Sequence, residues 1–253
     1  MLLEIKNITK YFGGLKAVND VDFYVNEGEI VGLMGPNGAG KSTLFNLITG
    51  YLKPVKGRIM FEGKDITSKK PHLIAESGIG WTFQSAPVFS DFTVLQNIIA
   101  ASCLHPKIGF WETFLNTSAC CRKEKLILDR SLEILQVTGL DKVKDERAKN
   151  LPHGFQKMLG IARALAVRPK LLLIDEPTAG MSRKEIDFTM PTLQRMRQGG
   201  LTILLIEHNM NVMNACERII VLNYGVKIAE GSMADVRRNK NVIQAYFKDE
   251  NAA

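Results

Sequence analysis

The sequence predicts an α/β fold with a mostly parallel sheet core, an N-terminal antiparallel β subdomain and an inserted α-helical subdomain. Three observations predict it. First, the runs Ile30-Val31-Gly32-Leu33-Met34, Leu171-Leu172-Leu173-Ile174 and Ile203-Leu204-Leu205-Ile206 are wholly apolar and short, apart from one glycine. Such runs suit strands covered on both faces, as in parallel sheets. Second, the N-terminus alternates instead, with Leu3, Ile5 and Ile8 apolar and Glu4 and Lys6 polar, the pattern of a half-buried antiparallel strand. Third, residues 93–138 lack strand patterning and carry Leu128, Leu132, Leu135 and Val137 at helical spacing.

In chain order, the first strand is followed by a second strand-like stretch from Ala17 to Val25, with Gly13-Gly14 and Glu27-Gly28 as turns. The buried run 30–34 comes next, and Thr43 to Ile48 continues as a helix. The helical stretch ends in the charged run from Asp141 to Lys149. There is no internal repeat, low-complexity tract or Pro/Gly linker. The chain is therefore expected to form one domain over 1–253. Residues 1–90 and 157–253 form its core with the β subdomain, and 91–156 form the helical subdomain.

Between the strand 30–34 and its helix stands Gly35-Pro36-Asn37-Gly38-Ala39-Gly40-Lys41-Ser42-Thr43, a full G-x-x-x-x-G-K-[ST] match in the strand–loop–helix setting that gives it meaning. Glycines let backbone N–H groups turn inward around phosphate oxygens, and the helix N-terminus adds its positive end. Lys41 is expected to reach the β- and γ-phosphates, and Ser42 to offer its hydroxyl to Mg²⁺. The core is thus expected to be a P-loop NTPase (RecA-like) core taking a nucleoside triphosphate and Mg²⁺. GTPases, nucleotide kinases, helicases and ATPases share such a loop, and ATP as the nucleotide follows only from a family resemblance carried by other segments.

The strand 171–174 ends in Asp175-Glu176. Strand periodicity sends neighbouring side chains to opposite faces, so the two acids are expected to do different work. Asp175 is placed to hold Mg²⁺, directly or through water, and Glu176 to polarise the attacking water. Taken alone, the pair is also the ordinary polar end of a strand meeting solvent. The phosphate loop upstream gives it a catalytic setting.

Composition bounds the rest. A 253-residue chain suffices for one large α/β domain. The net charge of +7 is not gathered into a dense basic block, so it points to a solvated surface rather than a nucleic-acid partner. Cys103, Cys120, Cys121 and Cys216 form no C-x-x-C pair and are expected to be reduced thiols. The start of the chain has no long apolar region of signal-peptide type, and no run approaches the roughly 18 apolar residues of a span. A membrane role must therefore run through a partner.

Further segments occur in a fixed order: Thr82-Phe83-Gln84, then Leu151-Pro152-His153-Gly154-Phe155-Gln156-Lys157 opening a helix, Pro177-Thr178-Ala179-Gly180 after the acids, and Glu207-His208 closing another strand. In order and spacing the chain closely resembles the ABC ATPase family over almost its whole length. The resemblance implies that Phe12, beside Tyr11, stacks on adenine, and that Gln84 contacts Mg²⁺ and senses the transporter. It makes 151–156 the signature motif, with Gly154 approaching nucleotide, and His208 the switch histidine near the γ-phosphate. Singly, Phe12 reads equally as edge-strand packing, Gln84 as a loop amide and His208 as a structural histidine. Within the family, Tyr11 to Val18, Glu207-His208-Asn209-Met210, Val221 to Gly225, Ile228 to Gly231 and the tail Val242 to Tyr246 resemble the LivG-like ATPases of branched-chain amino acid importers.

The segment 151–155 departs from the family's usual Leu-Ser-Gly-Gly-Gln at Pro152, His153 and Phe155. Loss of a serine hydroxyl bonded to a charged phosphate costs about 1.5–3 kcal/mol, so the resemblance implies weakened but not abolished closure on ATP. Ser182 stands where the family usually has Asp or Asn, bearing on communication between two sites of a dimer.

The resemblance implies a transport ATPase at the cytoplasmic face of the cell membrane, held there by transmembrane permease subunits. It would pair with itself or with a second ABC ATPase. An exporter or lipopolysaccharide-transport ATPase is the alternative within the fold, and a nucleic-acid or ribosome-associated ABC factor the alternative outside transport. A GTPase would need Asn-Lys-x-Asp, and the nearest match, Asn239-Lys240-Asn241-Val242, lacks the acid.

Overall fold

In a computed structural model of the chain, residues 1–82, 88–102 and 118–250 are described, except for the side chains of 118–120, 210–211 and 247–250. Strands β1 (Leu3–Phe12), β2 (Leu15–Val25), β4 (Lys56–Phe61) and β5 (Lys64–Asp65) form an antiparallel sheet in the order β2-β1-β4-β5. Strand β2 starts at Leu15, earlier than the expected Ala17, because Gly13-Gly14 makes a two-residue hairpin that pairs Phe12 with Leu15.

The second sheet has the order β10-β9-β3-β8-β7-β6. Its members are β3 (Ile30–Met34), β6 (Ile79–Thr82), β7 (Leu171–Asp175), β8 (Thr202–Ile206), β9 (Arg218–Asn223) and β10 (Val226–Gly231). Strands β3, β6, β7, β8 and β9 run parallel, and β10 returns antiparallel along the edge.

Side-chain alternation explains the wholly apolar runs. On one face Ile30, Met34, Leu172, Ile174, Ile203 and Leu205 join a core built with helices α3 (Val94–Ser102), α4 (Ser118–Thr138), α5 (His153–Leu165) and α6 (Arg183–Gln198). On the other face Val31, Leu33, Leu171, Leu173, Leu204 and Ile206 pack with α1 (Lys41–Ile48) and the antiparallel sheet. Each fully buried aliphatic side chain contributes about 1.5–3 kcal/mol, so a polar residue on either face of these strands would be costly. The remaining helices are α2 (Pro71–Glu76), α7 (Met210–Met213), α8 (Met233–Arg238) and α9 (Lys240–Glu250).

Parallel register places the site. Leu33 lies opposite Ile206, and Ile206 opposite Asp175, so β3, β8 and β7 end side by side. The loops leaving these ends therefore share one rim, where open parallel sheets bind ligands. Among the described residues no helix is long and apolar enough to cross a membrane.

Candidate active site

The loop 35–40 leaves β3 and feeds α1 through positive-φ glycines: Gly35 at 150°, Gly38 at 78° and Gly40 at 101°. At two of these the packing also demands glycine. A Cβ on Gly35 would lie 2.2 Å from the Leu222 carbonyl oxygen, and one on Gly40 would lie 2.3 Å from that of Ala17. Gly40 is the N-cap of α1 and offers no side-chain cap, so the first-turn N–H groups of α1 have no side-chain acceptor there. Pro36 and Ala39 are buried in the loop's wall, Asn37 and Gly38 are exposed, and Thr43 is half-buried in the first turn. The Lys41 ammonium is buried and donates to the carbonyls of Gly35 (2.7 Å) and Pro36 (2.9 Å). Burial lowers its pKa, opposed by the charges of Glu176 and Asp175. Ser42, next along, is exposed.

Across the rim β7 stops at Asp175, and Glu176 turns off with φ 46°, its N–H bonded to the Ile206 carbonyl at 3.0 Å. The backbone thus leaves the strand at Glu176, so strand-pleat alternation does not set the direction of its side chain. Asp175 is pushed up to about 6, first by burial and then by the neighbouring Glu176 charge, against the pull of Lys41 and Lys157. Glu176 Oε1 stands 3.2 Å from His208 Nε2. Glu176 and His208 thus meet at the rim, and the Glu176 charge also acts on Lys41 of the phosphate loop.

Three residues to which motif reading gave no role hold this rim. Lys157 of α5 donates to the Glu176 carbonyl at 2.8 Å. Glu207, almost fully buried at 3% exposure, accepts from the N–H groups of Thr178 (2.8 Å), His208 (2.9 Å) and Asn209 (3.1 Å) and from the Thr178 hydroxyl. Glu185 accepts from Gly154 N–H at 2.8 Å through Oε1 and from Ser182 N–H at 2.8 Å through Oε2. A buried carboxylate at the end of an apolar strand was the available signal for Glu207. The other two pairings are long-range and leave no local pattern.

The segment 151–156, which the resemblance makes the signature motif, opens α5 with Pro152 at its N-cap, φ −53° and ψ 152°. Phe155, in place of the family's glutamine, stacks on Phe188 of α6 with ring centroids 5.6 Å apart. Ser182 caps α6 in a reciprocal capping box with Glu185. Phe12 is 46% exposed at the tip of β1, with Lys10 Nζ 5.4 Å from its ring centroid. The side chain is thus partly open to solvent, with the Lys10 ammonium over its ring. Gln84 lies outside the described residues. Of the cysteines, Cys121 is exposed and Cys216 buried, while Cys103 and the side chain of Cys120 lie outside the description.

A phosphate loop facing a carboxylate pair and a histidine at the ends of parallel strands defines a nucleoside-triphosphate-hydrolysing site. Comparison with known proteins agrees. The ABC transporter family model matches residues 18–179. The high-affinity branched-chain amino acid transport ATP-binding protein BraF of Pseudomonas aeruginosa is 37% identical over 248 residues, covering 97% of each chain. LivG of Salmonella typhimurium, described in the same words, is 39% identical over 248 residues, again covering 97% of each. The ADP conformation of MJ1267, an ATP-binding cassette of an ABC transporter, superposes with a TM-score of 0.85 at 33% identity, covering 97% of this chain and 98% of that one. A dimeric post-hydrolysis state of the cassette MJ0796 bound to ADP and Pi gives 0.76 at 28% identity, covering 92% and 99%.

The chain belongs to the ABC transporter ATP-binding family. It is the ATP-binding subunit of an ABC transporter, it hydrolyses ATP, and it is homologous to the branched-chain amino acid importer ATPases.

Proposed function

We propose that this subunit drives import of branched-chain or related amino acids, docked on transmembrane permease subunits at the cytoplasmic face of the cell membrane. The observation that carries this reading is the match to LivG and BraF over 97% of both chains, with the phosphate loop and the Glu176–His208 pair intact.

Two cassettes, either two copies or this chain with a second ABC ATPase, would stack head to tail with ATP between them. Phe12 stacks on adenine. The 35–43 loop wraps the phosphates, with Lys41 moving from the Gly35 and Pro36 carbonyls onto the β- and γ-phosphate oxygens. Gly154 N–H would leave Glu185 Oε1, its acceptor here, for the γ-phosphate held by the opposite subunit. Glu176 polarises a water for attack on the γ-phosphorus, the bond to the β-phosphate oxygen breaks, and ADP and phosphate leave. His208, 3.2 Å from Glu176, fixes that carboxylate and faces the γ-phosphate. ATP favours the closed pair and hydrolysis releases it, a population shift set by differential affinity.

Ser42 and Asp175, with Gln84, are the groups that would hold Mg²⁺. Such a donor set fits an ion that keeps several waters and phosphate oxygens and takes only one or two carboxylates. Asp175 is a half-buried acid pushed up to about 6, and a cation beside it would favour its ionised form. When bound, Mg²⁺ neutralises charge on the phosphate oxygens.

The test is purification of the tagged chain with its native membrane partners, followed by reconstitution in proteoliposomes. The reading predicts ATP-dependent uptake of leucine, isoleucine or valine that Glu176→Gln abolishes. Outward transport, or uptake of unrelated solutes only, would contradict it.

A further inference from the structure

We infer that Glu207 is a positioning residue for ATP hydrolysis, holding His208 in register with Glu176. This rests on the reading of Glu176 and His208 given above and assigns what sets their separation.

The carboxylate bridges two loops that are remote in sequence. Its Oε1 accepts from Thr178 N–H at 2.8 Å and from the Thr178 hydroxyl, in the loop that begins at Glu176. Its Oε2 accepts from His208 N–H at 2.9 Å and Asn209 N–H at 3.1 Å, in the loop that carries the histidine. A carboxylate has about four acceptor positions, and here four donors use them. Burial at 3% exposure leaves no water to substitute for any of the four. The Glu176–His208 distance of 3.2 Å is therefore set by a clamp two residues from Glu176 on one side and adjacent to His208 on the other.

Substitution chemistry makes the inference testable. Glutamine has nearly the same shape but presents an amide NH₂ to donors, so one loop loses its acceptor. Displacement of a catalytic group by an ångström costs on the order of 100-fold in rate. Glu207→Gln is expected to lower kcat about 10- to 100-fold, with KM for ATP changed less than about 2-fold, since no binding group is touched. Because the clamp acts through His208, Glu207→Gln in a His208→Ala background is expected to lower kcat by less than a further factor of about 2. Thr178→Val, a milder change that keeps the fold, should give a smaller loss with the same dependence on His208.

Equal fold-losses from Glu207→Gln with and without His208 would overturn the inference. So would full turnover in a Glu207→Gln or Thr178→Val protein whose only change is a lower melting temperature. A His208→Ala protein with undiminished turnover would bring down the reading of His208 itself, and this inference with it.

Discussion

The backbone N–H of Gly154, at the start of α5, donates to Glu185 Oε1 at 2.8 Å, while the other oxygen of that carboxylate caps α6 at Ser182. One side chain thus ties the N-termini of two helices. Hydrogen bonding to Ser182 and Gly154 holds the Glu185 carboxyl below the usual carboxylate range. Its stabilising contribution is present above the ordinary glutamate pKa and is lost as pH falls through the lowered folded value. Glu185→Ala should lower stability by about 1 kcal/mol near neutrality, the usual worth of a helix cap. Urea melts should show that difference shrinking below pH about 4, near the ordinary glutamate pKa.

Lys157→Met should weaken both fold and turnover. The Lys157 ammonium satisfies the Glu176 carbonyl at 2.8 Å, and its charge faces Glu176, Glu207 and Asp175. A carbonyl left unpaired in a partly buried site costs about 1–3 kcal/mol, measurable by denaturant titration. A several-fold loss of kcat should accompany it, because the carbonyl belongs to Glu176, the residue proposed to polarise water.

Gly40→Ala should abolish nucleotide binding. The new Cβ would stand 2.3 Å from the Ala17 carbonyl oxygen at a φ of 101°. Neither backbone can yield cheaply, so the loop must open. Loss of ATP-dependent protection in a thermal melt checks this, with Lys41→Ala as the comparison that loses affinity without backbone strain.

Cys216 predicts an alkaline effect. Burial, with lesser help from Glu217 and Glu207, pushes its thiol up to about 12. The native state then keeps a proton that the unfolded chain gives up. Stability should fall as pH rises above the ordinary thiol range, by at most about 1.4 kcal/mol per pH unit from this group. Cys216→Ala should show a shallower alkaline slope. In peptide-mapped alkylation at pH 8, exposed Cys121 should react and Cys216 should not.

What the sequence made legible follows from range. The phosphate loop is contiguous, and its glycines answer local demands at Gly35 and Gly40 that any reader of the motif anticipates. The apolar runs announced strands covered on both faces, and the two core layers use alternate residues of the same three strands. The Asp175–Glu176 pair was visible, but the left-handed turn that leaves the strand at Glu176 was not, because pleat alternation assumes a strand that continues. Glu185 and Lys157 were invisible for another reason. Each acts on a backbone group well removed in the chain, Gly154 and Glu176 respectively, and no local spacing encodes such a meeting. Phe155 reads as a lost signature residue in sequence and as a packing partner of Phe188 in structure.

The central claim is that Glu176 polarises the attacking water while the phosphate loop binds ATP independently of it. The most direct measurement is steady-state phosphate release by Glu176→Gln beside equilibrium ATP binding to the same protein. The account predicts affinity within about 2-fold of the parent and a kcat lower by 100-fold or more, on the order expected for loss of a positioned acid–base group. Unchanged turnover would contradict it.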